Sequence, residues 1–255
     1  MTTLTLFTKA HNQGQLKQID VSLHAAFEDL DVQVQVLGSP VNKWVKVEVT
    51  GEDEGVAKSY ITKQIGICPA SINDIAVGAE LKGYIQKMDD PEFLTIDVGI
   101  FELKMIFYAK IPLATVQAQL LGNQKVAPLK KIAELYALNV DLPVSIKVNA
   151  VHAAEGFIEA EFSAGQVEKL KSWKDSLLDR LIILGTTSDD VTLTLERTRL
   201  NRDVIGTEAL GLFEYVLTCK LGTDAAGLVS QIGRYMRNAK FVVFNPKKLA
   251  GFLGE

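Results

Sequence analysis

Cysteine is nearly absent from this chain: Cys68 and Cys219 are the only two. Far apart in sequence, they build neither a disulfide framework nor a C-x-x-C metal knuckle. They read as two reduced thiols that behave as small apolar residues. Histidine is almost as scarce. His11, His24 and His152 show no H-E-x-x-H or comparable ligand spacing. There is no G-x-S-x-G elbow, no Walker lysine and no G-x-G-x-x-G loop. The expectation is therefore a protein with no catalytic residues, no metal and no cofactor. A long apolar run is missing too; nothing approaches the roughly 20 residues of a membrane helix. The opening MTTLTLFTKAHNQG lacks the charged segment and apolar stretch of a signal peptide. A cytoplasmic protein with no membrane partner is expected.

Positive charge is not in excess either. The net charge is −4, so no overall basic field recruits nucleic acid. The balance shifts along the chain, however. Residues 1–73 carry 6 basic and 8 acidic side chains, residues 74–163 carry 8 and 12, and residues 164–255 carry 13 and 11. Only the last third is mildly basic, so polyanion binding is best sought there.

What the chain does have is secondary-structure rhythm. A strand at Leu181–Leu184, a helix from Ser188 to Leu200 and strands at Asp203–Ala209 and Leu212–Lys220 begin one unit. A helix from Thr223 to Met236 and a strand at Lys240–Phe244 complete it. That is the βαββαβ order of a ferredoxin-like split βαβ unit. Asp190–Thr198 alternates as a strand would, but Ser188 with Asp189 and Asp190 makes a good helix cap and first turn, and helix is preferred.

The first third has a similar rhythm. TLTLFT reads as a strand. Leu16, Ile19, Leu23, Phe27 and Leu30 mark an amphipathic helix. DVQVQVLG and KWVKVEVT alternate as half-buried strands, and Trp44 falls in phase with Lys46 and Glu48 on the less buried face. Glu52, Asp53 and Glu54 then favour a helix start, and Ile67–Ala70 would supply a short fourth strand. The parallel between VEVTGEDEGVAKSYITKQIG and LTCKLGTDAAGLVSQIGRYM fits either an internal duplication or a shared strand-to-helix grammar.

The middle third reads as three strands (Val77–Met88, Glu92–Gly99, Leu103–Ile111), a helical insert, and a hairpin of two more (Pro143–His152, Phe157–Phe162). That is the order of an OB-fold barrel. The fold class expected is α+β: two ferredoxin-like split βαβ units flanking an OB-like β-barrel, with domains at 1–73, 74–163 and 164–255.

Three candidate sites follow. The first is the barrel face, where aromatics and lysines interleave as single-strand binding requires: Tyr84, Phe93, Phe101, Phe107 and Tyr108 with Lys82, Lys87, Lys104 and Lys110. Lys82, Tyr84 and Lys104 are the expected contacts. The second is the basic cluster Arg197, Arg199, Arg202, Arg234 and Arg237, with Lys240 nearby. Both helices of a split βαβ unit pack on one sheet face, so these groups would converge, and arginine clamps phosphate through paired hydrogen bonds. The alternative is that they only complement helix C-termini. The third is CKLGTDAAGL, where Lys220, Gly222 and Thr223 precede a helix. Free N–H groups there would hold an anion, although Asp224 would repel phosphate and a plain strand-to-helix turn explains the same residues.

Three stretches carry a family resemblance: GEDEGVAKSYITKQIG after KWVKVEV, VGAELKGYIQKMDDPEFLTIDVGI, and DVIGTEALGLFEYVLTCKLGTDAAGLVSQIG, of which KLGTDA is the most specific part. Over nearly its whole length the chain resembles the archaeal proteins grouped as domain-of-unknown-function family number 2110. The resemblance implies an archaeal cytoplasmic origin and supplies no catalytic residue. The family's looser likeness to OB-type RNA-binding modules implies a role in information processing. The leading expectation is a non-enzymatic RNA-binding or ribonucleoprotein-associated adaptor. Two alternatives stay open: a protein-interaction scaffold that binds a protein partner without nucleic acid, and an enzyme or binder for a phosphorylated small molecule.

Overall fold

Alternating apolar residues decide the strands, and their pairing decides three separate sheets. The computed structural model describes residues 1–102, 105–122 and 125–254. The element order is β1 (Thr2–Lys9), α1 (Gln13–Ala26), β2 (Val32–Val41), β3 (Trp44–Gly51), α2 (Glu54–Gln64), β4 (Glu80–Lys87), β5 (Phe93–Glu102) and β6 (Met105–Pro112). It continues with α3 (Leu113–Leu121), α4 (Leu129–Leu135), β7 (Pro143–His152), β8 (Phe157–Phe162), α5 (Ala164–Asp175) and β9 (Arg180–Leu184). The chain ends with α6 (Ser188–Thr198), β10 (Val204–Ala209), β11 (Glu214–Cys219), α7 (Ala225–Ile232), β12 (Lys240–Phe244) and α8 (Pro246–Leu253). The protein is α+β, with a closed five-stranded barrel and two antiparallel sheets that carry helices.

The chain divides into two compact units. One comprises Met1–Asp74 with Gly99–Ile106, and the other Ile75–Val98 with Phe107–Glu255. In the first, the sheet order is β1-β3-β2. Ile19 and Leu23 of α1 and Ala57 and Ile61 of α2 are buried, as the spacing of apolar residues requires. Asp53 does not cap α2 through its side chain; its carboxylate accepts instead from the Asp31 amide at 2.9 Å. The expected fourth strand is reduced to a single bridge between Leu6 and Ile67.

Trp44 corrects the pattern reading. It is fully buried, although it shares the phase of half-buried Lys46 and Glu48. Phe7 packs against its ring at 5.9 Å, the Lys9 ammonium lies 5.1 Å from the ring centre, and Gly99 with Cys68 closes over it. A Cβ on Gly99 would stand 2.5 Å from the Cys68 sulfur and 3.3 Å from the indole, and its φ is +76°. The second face of the sheet is therefore covered at this end, and strand alternation cannot report a cover supplied by residues distant in sequence.

The barrel, most of whose residues belong to the second unit, closes in the order β4-β5-β6-β8-β7, with β6 and β8 parallel. Leu94, Ile96, Val98, Ala109, Ile111, Ile146, Ile158 and Phe162 fill it. The C-terminal sheet has the order β10-β11-β9-β12. Leu181, Ile183, Leu217 and Cys219 from the strands pack with Val191, Leu195, Leu228 and Ile232 from α6 and α7. The ambiguous segment after Thr187 is helix. Thr187, one residue before the expected cap, accepts from the Asp190 amide, and Asp189 and Asp190 occupy the first turn. Burial of Val191 and Leu195, four apart, decides for the helical period over the strand period.

Candidate nucleic-acid interface

Two of the C-terminal arginines, Arg197 and Arg234, meet at one tyrosine ring. Arg197 lies in the last turn of α6. Helix α7 ends at Ile232, four residues before the expected end, so Arg234 and Tyr235 stand in the turn after it. The Arg197 guanidinium carbon is 4.7 Å from the centre of the Tyr235 ring, and that of Arg234 is 4.8 Å from it. Both arginines are exposed, and the tyrosine is half-buried. Two like charges thus sit less than about 10 Å apart, about one Debye length at 0.1 M ionic strength, so their fields add at low salt.

The other arginines of the cluster have distinct local roles. Arg199 takes the left-handed position, φ 58°, that ends α6. Arg202 follows in a short 3₁₀ turn and lies 3.6 Å from its neighbour Asp203, a highly exposed contact of small energetic weight. Arg237 is exposed in the turn leading to β12. The Lys240 ammonium donates to the Val140 carbonyl at 3.5 Å.

Tyr84 corrects the barrel reading. It is fully buried, and its hydroxyl donates to Glu214 at 3.2 Å. Glu214, 1% exposed, also accepts from the Phe213 amide at 3.3 Å. Gly211 lies against both side chains, and a Cβ there would strike the Glu214 carboxylate. The outer face of β4 at Tyr84 is thus covered by the β10–β11 turn, and the ring offers no surface on which a base can stack. Lys82, two residues earlier on β4, is exposed. Lys104 lies outside the described residues.

One part of the outer barrel face gathers aromatic rings. The Lys110 ammonium lies 5.6 Å from the centre of Phe93 and 5.0 Å from that of Phe157, and His152 stacks on Phe157 at 4.5 Å and 20°. Phe157 and His152 carried no local signal in the sequence. Parallel pairing of β6 with β8 brings Phe157 beside Tyr108 and Lys110 beside Glu159.

Lys220, Gly222 and Thr223 line an open pocket of about 180 Å³ with Asp179, Asp224, Asn245 and Lys247. Gly222 has the positive φ that the turn needs, 88°. The expected set of free helix N–H groups is not there. Asp224 accepts from the amides of Ala226 and Gly227, and Asp179 accepts from that of Ala225. Two carboxylates already serve as the anions of α7. Burial, with the neighbouring Asp224 charge, raises the Asp179 carboxyl above its ordinary value. Burial first, then Asp179 and Asp224, pushes the Cys219 thiol up to about 11, so it is an inert thiol at neutral pH. Among the described residues, no three histidine, cysteine or carboxylate groups gather as a metal site, and no helix is long and apolar enough to cross a membrane.

Fold and surface together define an α+β protein with an OB-like barrel, two helix-bearing antiparallel sheets and an arginine-faced C-terminal module. Residues 2–71 match the DUF2110 N-terminal domain, residues 75–174 the DUF2110 central domain and residues 178–244 the DUF2110 C-terminal domain. The chain belongs to the DUF2110 family. No curated protein matches it. Among solved structures it is similar to a chain of the a/eIF2alpha-aDim2p-rRNA complex from Pyrococcus horikoshii OT3, at 13% identity and a TM-score of 0.27, over 49% of this chain and 64% of that one. It is also similar to the intact alpha subunit of aIF2 from Pyrococcus abyssi, at 10% identity and a TM-score of 0.25, over 67% and 96% of the two chains. The chain thus spans less than two thirds of the first of these structures.

Proposed function

We propose that this protein is a non-enzymatic RNA-binding adaptor that grips the sugar–phosphate backbone with its C-terminal module. In this reading the chain comprises three modules, 1–73, 74–163 and 164–255, and the last one supplies the charge. The observation that carries the reading is the pair Arg197 and Arg234 held over one tyrosine ring. Contact with the Tyr235 ring restrains each guanidinium, so less side-chain entropy is lost when it forks onto a phosphate. Arg199, Arg202 and Arg237 extend the surface with further charge. Contacts of this kind position a backbone and carry no base preference by themselves.

The test is fluorescence anisotropy of single-stranded RNA oligonucleotides over a salt series. Affinity should fall steeply with salt, and the double variant Arg197→Ala/Arg234→Ala should lower the slope of log K against log salt by about 1.4, or about 0.7 for each lost phosphate contact. Wild-type protein that stays folded and binds no oligonucleotide at low salt refutes the proposal.

A further inference from the structure

The barrel face is aromatic like the arginine surface, but its charged surroundings have the opposite sign. Phe93 and Phe157 are half-buried, and Lys110 lies over both rings. Carboxylates neighbour them in sequence and in register. Glu92 precedes Phe93 in the turn that also holds Asp89 and Asp90; Glu155 stands two residues before Phe157; and Glu159 is the register partner of Lys110. Glu159 approaches His152 at 3.7 Å, and Asp90 accepts from the amide of Glu92. Among the described residues, none of these five carboxylates pairs with a lysine or arginine, while Glu161 farther along β8 does pair with Lys147. Lys82 and Lys87 on β4 and Lys110 on β6 are the basic side chains of these strands among the described residues.

Such a face repels a polyanion. A ring pair beside carboxylates that no lysine or arginine neutralises is instead the arrangement that binds cations, because the π faces and the carboxylates attract the same charge. The chain supplies its own example, since the Lys110 ammonium already occupies the place between the rings. Lysine is a flexible four-carbon stem with a point charge, and it leaves such a place readily. An arginine from outside stacks flat on a ring and forks onto a carboxylate in one contact.

We propose that the barrel face at Phe93, Lys110 and Phe157 docks an arginine-bearing segment of a basic protein, which displaces the Lys110 ammonium from the rings. This docking is independent of RNA binding by the C-terminal module. With both surfaces engaged, the protein would join an RNA to a basic protein.

The test uses the full chain and a synthetic peptide of alternating arginine and glycine. Its control is the same peptide with citrulline, which keeps the planar shape and removes the charge. Binding is read by calorimetry. The arginine peptide should bind at least about tenfold more tightly than the citrulline peptide. Lys110→Ala should tighten binding by about threefold to fivefold, the scale of one exposed cation–π contact, because the internal competitor is gone. The triple variant Asp89→Asn/Asp90→Asn/Glu92→Gln, in exposed turn positions where folding is not at stake, should weaken it by about tenfold or more. Equal binding of the two peptides overturns the proposal, as does weaker binding by Lys110→Ala. If Phe157→Ala stays folded and loses RNA affinity while peptide binding is unchanged, the face belongs to RNA and this proposal fails.

Discussion

The barrel and the C-terminal module each hold a cation over an aromatic ring, and each does so in different company. On the barrel, one lysine spans Phe93 and Phe157 beside acidic turns. On the C-terminal module, two arginines share Tyr235 beside Arg199 and Arg202. The local contact is of one kind. What differs is the sign of the field around it, and that sign selects the partner. An aromatic–basic pairing in a sequence is therefore only half a statement about nucleic acid. The carboxylates nearby supply the other half.

The largest expected effect breaks the comparison at its basic end. Arg197→Ala/Arg234→Ala should weaken binding of a single-stranded RNA by about 100-fold at low salt. Each charge-assisted contact contributes about 1.5 kcal/mol or more, roughly tenfold. Both side chains are exposed, so thermal unfolding should be nearly unchanged. RNA affinity that survives this change assigns the RNA to another surface.

Tyr84 sharpens the barrel side. Its burial against Glu214 predicts that Tyr84→Phe leaves RNA affinity unchanged and lowers stability by about 1–2 kcal/mol. The Glu214 carboxylate then loses a donor where water cannot easily replace it. Denaturant midpoints and anisotropy on one preparation measure both. A loss of RNA affinity at unchanged stability is the result that contradicts the buried role.

The arginine pair and Tyr84 show how far the sequence can be read. The C-terminal βαββαβ order was legible because each element has its own period and its own turn residues. The convergence of Arg197 with Arg234 followed from that order alone, since it places the two helices on one sheet face. The Tyr235 ring between them was not foreseen, because nothing in a helix pattern tells where α7 stops and Arg234 turns back. Tyr84 and Trp44 are buried against expectation for one shared reason. Alternation along a strand separates two faces, but both faces are covered here, and the covers are Glu214 in one case and Cys68 with Gly99 in the other. Phe157 was silent because it reaches Lys110 only through the parallel closure of β6 on β8.

The pocket at the start of α7 places both signs together and gives a smaller, local effect. Asp224→Ala should cost about 1 kcal/mol, since it frees the amides of Ala226 and Gly227 at the helix start. Urea unfolding checks it. RNA affinity should change far less than with the arginine pair. An affinity gain comparable to the arginine loss would restore the helix N-terminus as an anion site.

Asp179 carries the smallest effect and the most specific signature. Burial and the Asp224 charge hold its carboxyl above the ordinary value of 3.8, despite the Ala225 hydrogen bond and the attraction of Lys247. The folded protein therefore binds this proton more tightly than the unfolded chain. Over the interval between the two values, the unfolded chain releases the proton first as pH rises, so folding stability falls with rising pH and levels off above the folded value. Asp179→Asn keeps a carbonyl oxygen for the Ala225 amide and removes the titration. The variant should be the more stable of the two at neutral pH, and its advantage should shrink as pH falls through the folded value. Urea midpoints of both proteins across the acid range test this. An advantage that grows toward acid would mean that Asp179 is held ionised, and that Lys247 rather than burial controls the pocket.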